Sequence, residues 1–69
     1  RNVRFKELMD LLIYLGFEKR HDSSSHTVFT YPSQPTILTI PYRKPFLKPC
    51  YVMQAIQAID ELGLMDDED

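Results

Sequence analysis

His26 follows the serine tract Ser23-Ser24-Ser25 and opens the run His26-Thr27-Val28-Phe29-Thr30-Tyr31. An imidazole can exchange a proton near neutral pH, and neighbouring hydroxyls add hydrogen-bond donors suited to phosphate oxygens. Cationic groups flank this run, with Lys19 and Arg20 before it and Arg43, Lys44 and Lys48 after it. A guanidinium grips phosphate through a fork of N–H donors, whereas an ammonium acts as a point charge. Together these residue types could break a ribose-phosphate chain. A base takes the proton of the 2′-hydroxyl, cations neutralise the phosphate, and an acid protonates the leaving 5′-oxygen.

Within that scheme His26 is the candidate base, and His21, across the serine loop, is a possible acid. Arg20 and Ser25 are candidate phosphate contacts beside it, and Arg43, Lys44 and Lys48 are candidate grips on an RNA backbone. Each has an ordinary reading as well. A histidine can simply bond a loop carbonyl, charged residues at a strand end are usually solvated, and serines turn the chain. Lys19 and Arg20 point to opposite sides of an extended strand, so one of them at most serves the site. Tyr42 and Phe46 can stack on bases, although Phe46 can equally plug the core. Cys50 reads as a structural thiol at a helix start. A serine nucleophile lacks a paired acid and histidine to activate it, and His21 and His26 are too few for a closed zinc site. No metal or other cofactor is expected.

The elements that would position these groups follow from periodicity. Phe5, Leu8, Leu12 and Leu15, widened by Met9 and Leu11, predict a helix from about Arg4 to Leu15, with Asn2 as a possible cap and Gly16 as its left-handed end. Phe17 to Arg20 reads as a short strand anchored by Phe17, and His21 to Ser25 as a hairpin connection. Successive side chains of a strand face opposite ways, so Thr27, Phe29 and Tyr31 share one side and His26, Val28 and Thr30 the other. Burying Phe29 therefore turns His26 to the uncovered face. Pro32 to Pro35 reads as a turn and Thr36 to Ile40 as a third strand ended by Pro41, with Leu38 and Ile40 on the covered side. A basic loop, Tyr42 to Lys48, leads to a last helix from about Pro49 to Leu62, striped by Val52, Ile56, Ile59 and Leu62 and ended by Gly63. The expected fold is α+β, ordered α-β-β-β-α, with a three-stranded antiparallel sheet and two helices on one face.

Size and composition limit the function classes. Sixty-nine residues with 43% apolar content make one small domain, residues 1–65, followed by an acidic tail, residues 66–69. Such a core leaves little room for an enclosed cavity, which favours a polymer bound on an open surface. The net charge of −2 conceals an asymmetry: the tail holds four of the ten acidic residues, leaving six against eight basic ones elsewhere. The single cysteine permits no internal disulfide and points to a reducing, cytoplasmic setting. No apolar stretch reaches membrane-spanning length and no secretory leader pattern is present. The chain opens at Arg1 rather than methionine, which leaves open whether residues precede it.

The run Leu15-Gly16-Phe17, then Arg20, the serine loop, Ser25-His26 and Phe29, resembles the HicA-type mRNA interferase toxins. Those proteins join a helix, a Gly plus a large apolar residue, a Gly-Ser-His or Ser-Asn-His turn and a buried phenylalanine or similar residue. Leu38-Thr39-Ile40-Pro41 is similar to their Val-Thr-Val-Pro strand, and Glu61-Leu62-Gly63-Leu64 to their terminal helix, which often finishes in Gly-Leu. The resemblance runs from about Phe5 to Leu64. It departs at Ser24, where the family usually has glycine, in the loop Tyr42-Arg43-Lys44-Pro45-Phe46, and in the acidic end. It implies a double-stranded-RNA-binding-like fold, an mRNA endoribonuclease that needs no metal, His26 as the catalytic histidine, and a HicB-type antitoxin as protein partner. Two readings from other classes stand beside this one: a non-catalytic RNA-binding module, and a protein-interaction module working through the last helix and acidic tail.

Overall fold

The first apolar stripe folds as α1 (Phe5–Tyr14), whose Leu8 and Leu12 enter the core. The computed structural model describes residues 2–21 and 25–64, the side chain of His21 excepted. Arg4, not Asn2, is the N-cap, and Glu7 accepts a hydrogen bond from the Arg4 backbone N–H at 2.9 Å. A glutamate three residues into a helix is placed to satisfy that otherwise unpaired donor.

Gly16 ends α1 at φ 106°. Its N–H donates to the Ile13 carbonyl at 3.0 Å, and the Phe17 N–H donates to the Leu12 carbonyl at 2.9 Å. This paired closure requires a left-handed residue, and it sets buried Phe17 against buried Leu12. Phe17 therefore belongs to the helix end, and β1 (Glu18–His21) begins one residue later than its pattern suggests. A Cβ on Gly16 would lie 3.3 Å from the Tyr31 ring. Gly16→Ala should lower unfolding stability by about 1–2 kcal/mol, the cost of holding an L-residue left-handed, read as a lower urea midpoint at unchanged slope.

β2 (His26–Tyr31) occupies the middle of an antiparallel sheet ordered β1-β2-β3, with β3 spanning Gln34–Pro41. His21 extends β1 and pairs with Thr27, so the ladder runs one residue further into the expected connection. Only Pro32 and Ser33 turn the chain between β2 and β3. β3 is longer than the span Thr36–Ile40 because Pro35 and Pro41 both lie within it. Proline lacks a ladder donor, but an edge strand can turn that side to solvent.

The register sets Phe29 beside Leu38 and Thr27 beside Ile40. Phe29, Leu38 and Ile40 are buried together with Leu8, Leu12, Ala55 and Ile59, so both helices cover the same sheet face. The last helix, α2, spans Pro49–Glu61. Its buried residues are Ala55, Ala58 and Ile59, whereas Ile56 is 50% exposed. The expected Val52-Ile56-Ile59-Leu62 stripe is thus rotated: small alanines face inward, where the helix meets β3. Gly63 at φ 69° repeats the Gly16 closure, with Gly63 N–H to Asp60 at 3.0 Å and Leu64 N–H to Ile59 at 3.2 Å. Leu47, rather than Phe46, plugs the core from the connecting loop. Cys50 is exposed, which removes its structural reading. Among the described residues no helix is long and apolar enough to cross a membrane.

Candidate nucleic-acid interface

The strand geometry that buries Phe29 sends His26 the other way. Its ring is exposed on the uncovered sheet face, at the start of β2 and opposite Pro41. Nδ1 lies 3.2 Å from the Ser25 hydroxyl oxygen. Ser25 is itself held by its carbonyl, which accepts the Tyr42 N–H at 2.8 Å. Nε2 has no protein partner among the described residues. The Ser25 contact admits two proton arrangements. If Nδ1–H donates to the serine oxygen, Nε2 presents a lone pair and can act as a base. If the hydroxyl donates to Nδ1, Nε2 carries the proton and can act as an acid.

Arg20 shares the open face: it pairs with Val28, and His26 lies diagonally across that pair. Such diagonal neighbours are about 7–8 Å apart, within reach of one phosphate group and a long side chain. In this structure the guanidinium instead meets the Glu18 carboxylate at 3.3 Å, and both side chains are more than half exposed. An exposed pair contributes about 0–1 kcal/mol, so a phosphate can compete for Arg20. Lys19 pairs with Phe29 and therefore belongs to the opposite face.

The other candidate cations, Arg43, Lys44 and Lys48, gather where β3 leaves the sheet. Arg43 and Lys48 line a cleft of about 170 Å³ with Pro41, Tyr42 and Tyr51. A neighbouring cleft of about 390 Å³ is lined by Arg4, Lys6, Arg43 and Lys44 with Phe5 and Tyr42. The Arg43 guanidinium donates to the Phe46 carbonyl at 3.2 Å, which folds the loop back on itself. Tyr42 packs edge-on against Phe5, ring centres 5.2 Å apart, and the Arg4 guanidinium covers Phe46 at 5.6 Å. These contacts leave Tyr42 half exposed beside the cations, as a stacking residue requires. His26 lines neither cleft.

The structure thus brings His26 and Ser25 together, sets Arg20 on the same face, and gathers Arg43, Lys44 and Lys48 around the following loop. It does not join Arg20 to that loop. His21 closes β1, with its side chain outside the described residues; Ser23, Ser24 and the tail from 65 to 69 also lie outside them. Arg4 and Lys6 were missed in the sequence. Their place depends on the Leu47 N–H, which donates to the Val3 carbonyl at 2.8 Å and ties the loop to the start of α1. Lys6 meets Asp10 at 2.7 Å in an exposed pair, which a phosphate can displace as it can at Arg20, so Arg4, Lys6, Arg43 and Lys44 are all candidate phosphate ligands. Among the described residues no three His, Cys, Asp or Glu side chains form a metal-binding group.

Comparison with protein-family models, curated proteins and solved structures finds no match to this chain.

Proposed function

We propose that the chain is a metal-independent endoribonuclease of the HicA type, with His26 as its catalytic group. The observation that carries this reading is the exposed imidazole on the uncovered sheet face, bonded through one nitrogen to Ser25 and open at the other. The α-β-β-β-α order, which the HicA resemblance also implies, supports it. In the proposed reaction Nε2 of His26 removes the ribose 2′-hydroxyl proton. The 2′-oxygen then bonds to phosphorus as the bond to the 5′-oxygen breaks, giving a 2′,3′-cyclic phosphate and a 5′-hydroxyl end. His21 is the proposed donor of the proton that the leaving oxygen takes. Arg20, released from Glu18, and Ser25 would hold the non-bridging oxygens, while Arg43, Lys44 and Lys48 track the flanking backbone. A HicB-type antitoxin as partner and a cytoplasmic setting belong to the same proposal.

A second reading has its own support. The cleft that carries Arg4, Lys6, Arg43 and Lys44 does not include His26 in its lining, which suits an RNA-binding module that performs no chemistry. Labelled RNA incubated with purified protein in EDTA and run on a gel separates the two. Fragments support the nuclease, a shifted but intact band supports the binding module, and an unshifted intact band removes both.

Either reading predicts that Arg43→Ala with Lys44→Ala weakens RNA retention. Each lost phosphate contact on a single strand should also flatten the slope of log K against log salt by about 0.7. Filter binding across a salt series measures this, and an unchanged slope would place the backbone elsewhere.

A further inference from the structure

A broad apolar surface lies on the helix layer, across the sheet from His26. α1 leans on β1 and α2 on β3, and a groove of about 730 Å³ runs between them, lined by Leu11, Met53, Ile56 and Asp60 among others. It continues into a space of about 240 Å³ where Glu7 and Val52 join Leu11 and Ile56. Met53 is 62% exposed and Ile56 50%, so two large apolar groups lie open to solvent within one groove lining. The charged residues of the lining are acidic: Glu7 and Asp60, with no lysine or arginine among the described residues that line either part.

The charge selects among occupants. A second copy docking through the same face would set Glu7 and Asp60 of the two chains against each other, and like charges across an interface disfavour association. An anionic surface is disfavoured for the same reason. A cationic helix meets both requirements. Two helices separated by a groove accept a third along it, its residues at i, i+3, i+4 and i+7 entering the apolar floor and its basic flanks meeting Glu7 and Asp60. α1 has ten residues, about 15 Å of length, and α2 thirteen, about 20 Å, so three to four turns of partner would fill the site. We infer that the α1–α2 groove is a docking site for a cationic amphipathic helix of a partner protein. This surface faces away from His26, so its occupation is independent of whether the chain cleaves RNA.

The test is fluorescence anisotropy with a labelled four-turn peptide carrying leucine on one face and lysine on its flanks. A scrambled peptide of the same composition and one with glutamate in place of lysine serve as controls. The patterned lysine peptide should bind at least about tenfold more tightly than either control. Asp60→Lys should weaken it about fivefold and strengthen the glutamate peptide, a reversal that general stickiness does not produce. Ile56→Asp should abolish binding while circular dichroism and thermal melting report an intact fold. The proposal is overturned by equal binding of patterned and scrambled peptides, by no binding, or by affinities indifferent to Asp60→Lys. Self-association in sedimentation that Ile56→Asp dissolves would also overturn it, because the occupant would then be a second copy.

Discussion

His26→Ala should lower RNA cleavage by about 10²–10⁴-fold, the range over which a positioned acid–base group contributes, and leave the fold in place. The ring is exposed and its one polar contact, to Ser25, is exposed as well. Removing it creates no cavity and strands no buried donor, so stability should stay within about 0.5 kcal/mol of the parent. A cleavage time course on labelled RNA, paired with thermal melts of both proteins, reads the two quantities separately. Equal rates for mutant and parent would remove the catalytic role. RNA retention should survive the change, since the cations lining the loop clefts are untouched.

Phe29→Ala should act in the opposite way, destroying activity by unfolding the domain. Phe29 is 1% exposed, lies beside Leu38 in the sheet, and is the largest of the fully buried side chains. Deleting a buried phenylalanine costs about 3–5 kcal/mol, through lost transfer energy and the void left behind. A domain of 69 residues has about 3–10 kcal/mol of stability to lose. The mutant should therefore melt far below the parent or lack a cooperative transition at ambient temperature. A parent-like melting curve would show that the core is not organised around β2.

What was legible in the sequence is what short-range periodicity encodes. Alternation over His26–Tyr31 gave β2 its limits and its two faces, because burying one member of a strand fixes the direction of every other. Gly16 and Gly63 were readable as helix ends because the closing turn demands a left-handed residue. The misreadings have separate causes. Pro35 and Pro41 signalled strand ends, yet β3 is an edge strand that tolerates them. Ala55 and Ala58 carry little weight in an apolar stripe, so α2 was turned toward Ile56, whose exposure is what opens the groove. The contribution of Arg4 was illegible, since a contact between Val3 and Leu47 places it and no local pattern encodes that pairing. Arg20 was placed on a suitable face, but its engagement by Glu18 two residues away was not anticipated.

A covered face and an open face then follow from one sheet. The helices bury Phe29, Leu38 and Ile40 on one side, which leaves the other for His26, Ser25 and Arg20, while the loop after β3 carries Arg43, Lys44 and Lys48. The central claim is that the outward imidazole activates a ribose hydroxyl. Its most direct measurement is mass spectrometry of the ends formed when parent and His26→Ala proteins are incubated with a defined RNA in EDTA. The account predicts 2′,3′-cyclic phosphate and 5′-hydroxyl ends from the parent and intact RNA from the mutant. The same fragments from both proteins, or fragments carrying 3′-hydroxyl ends, would contradict it.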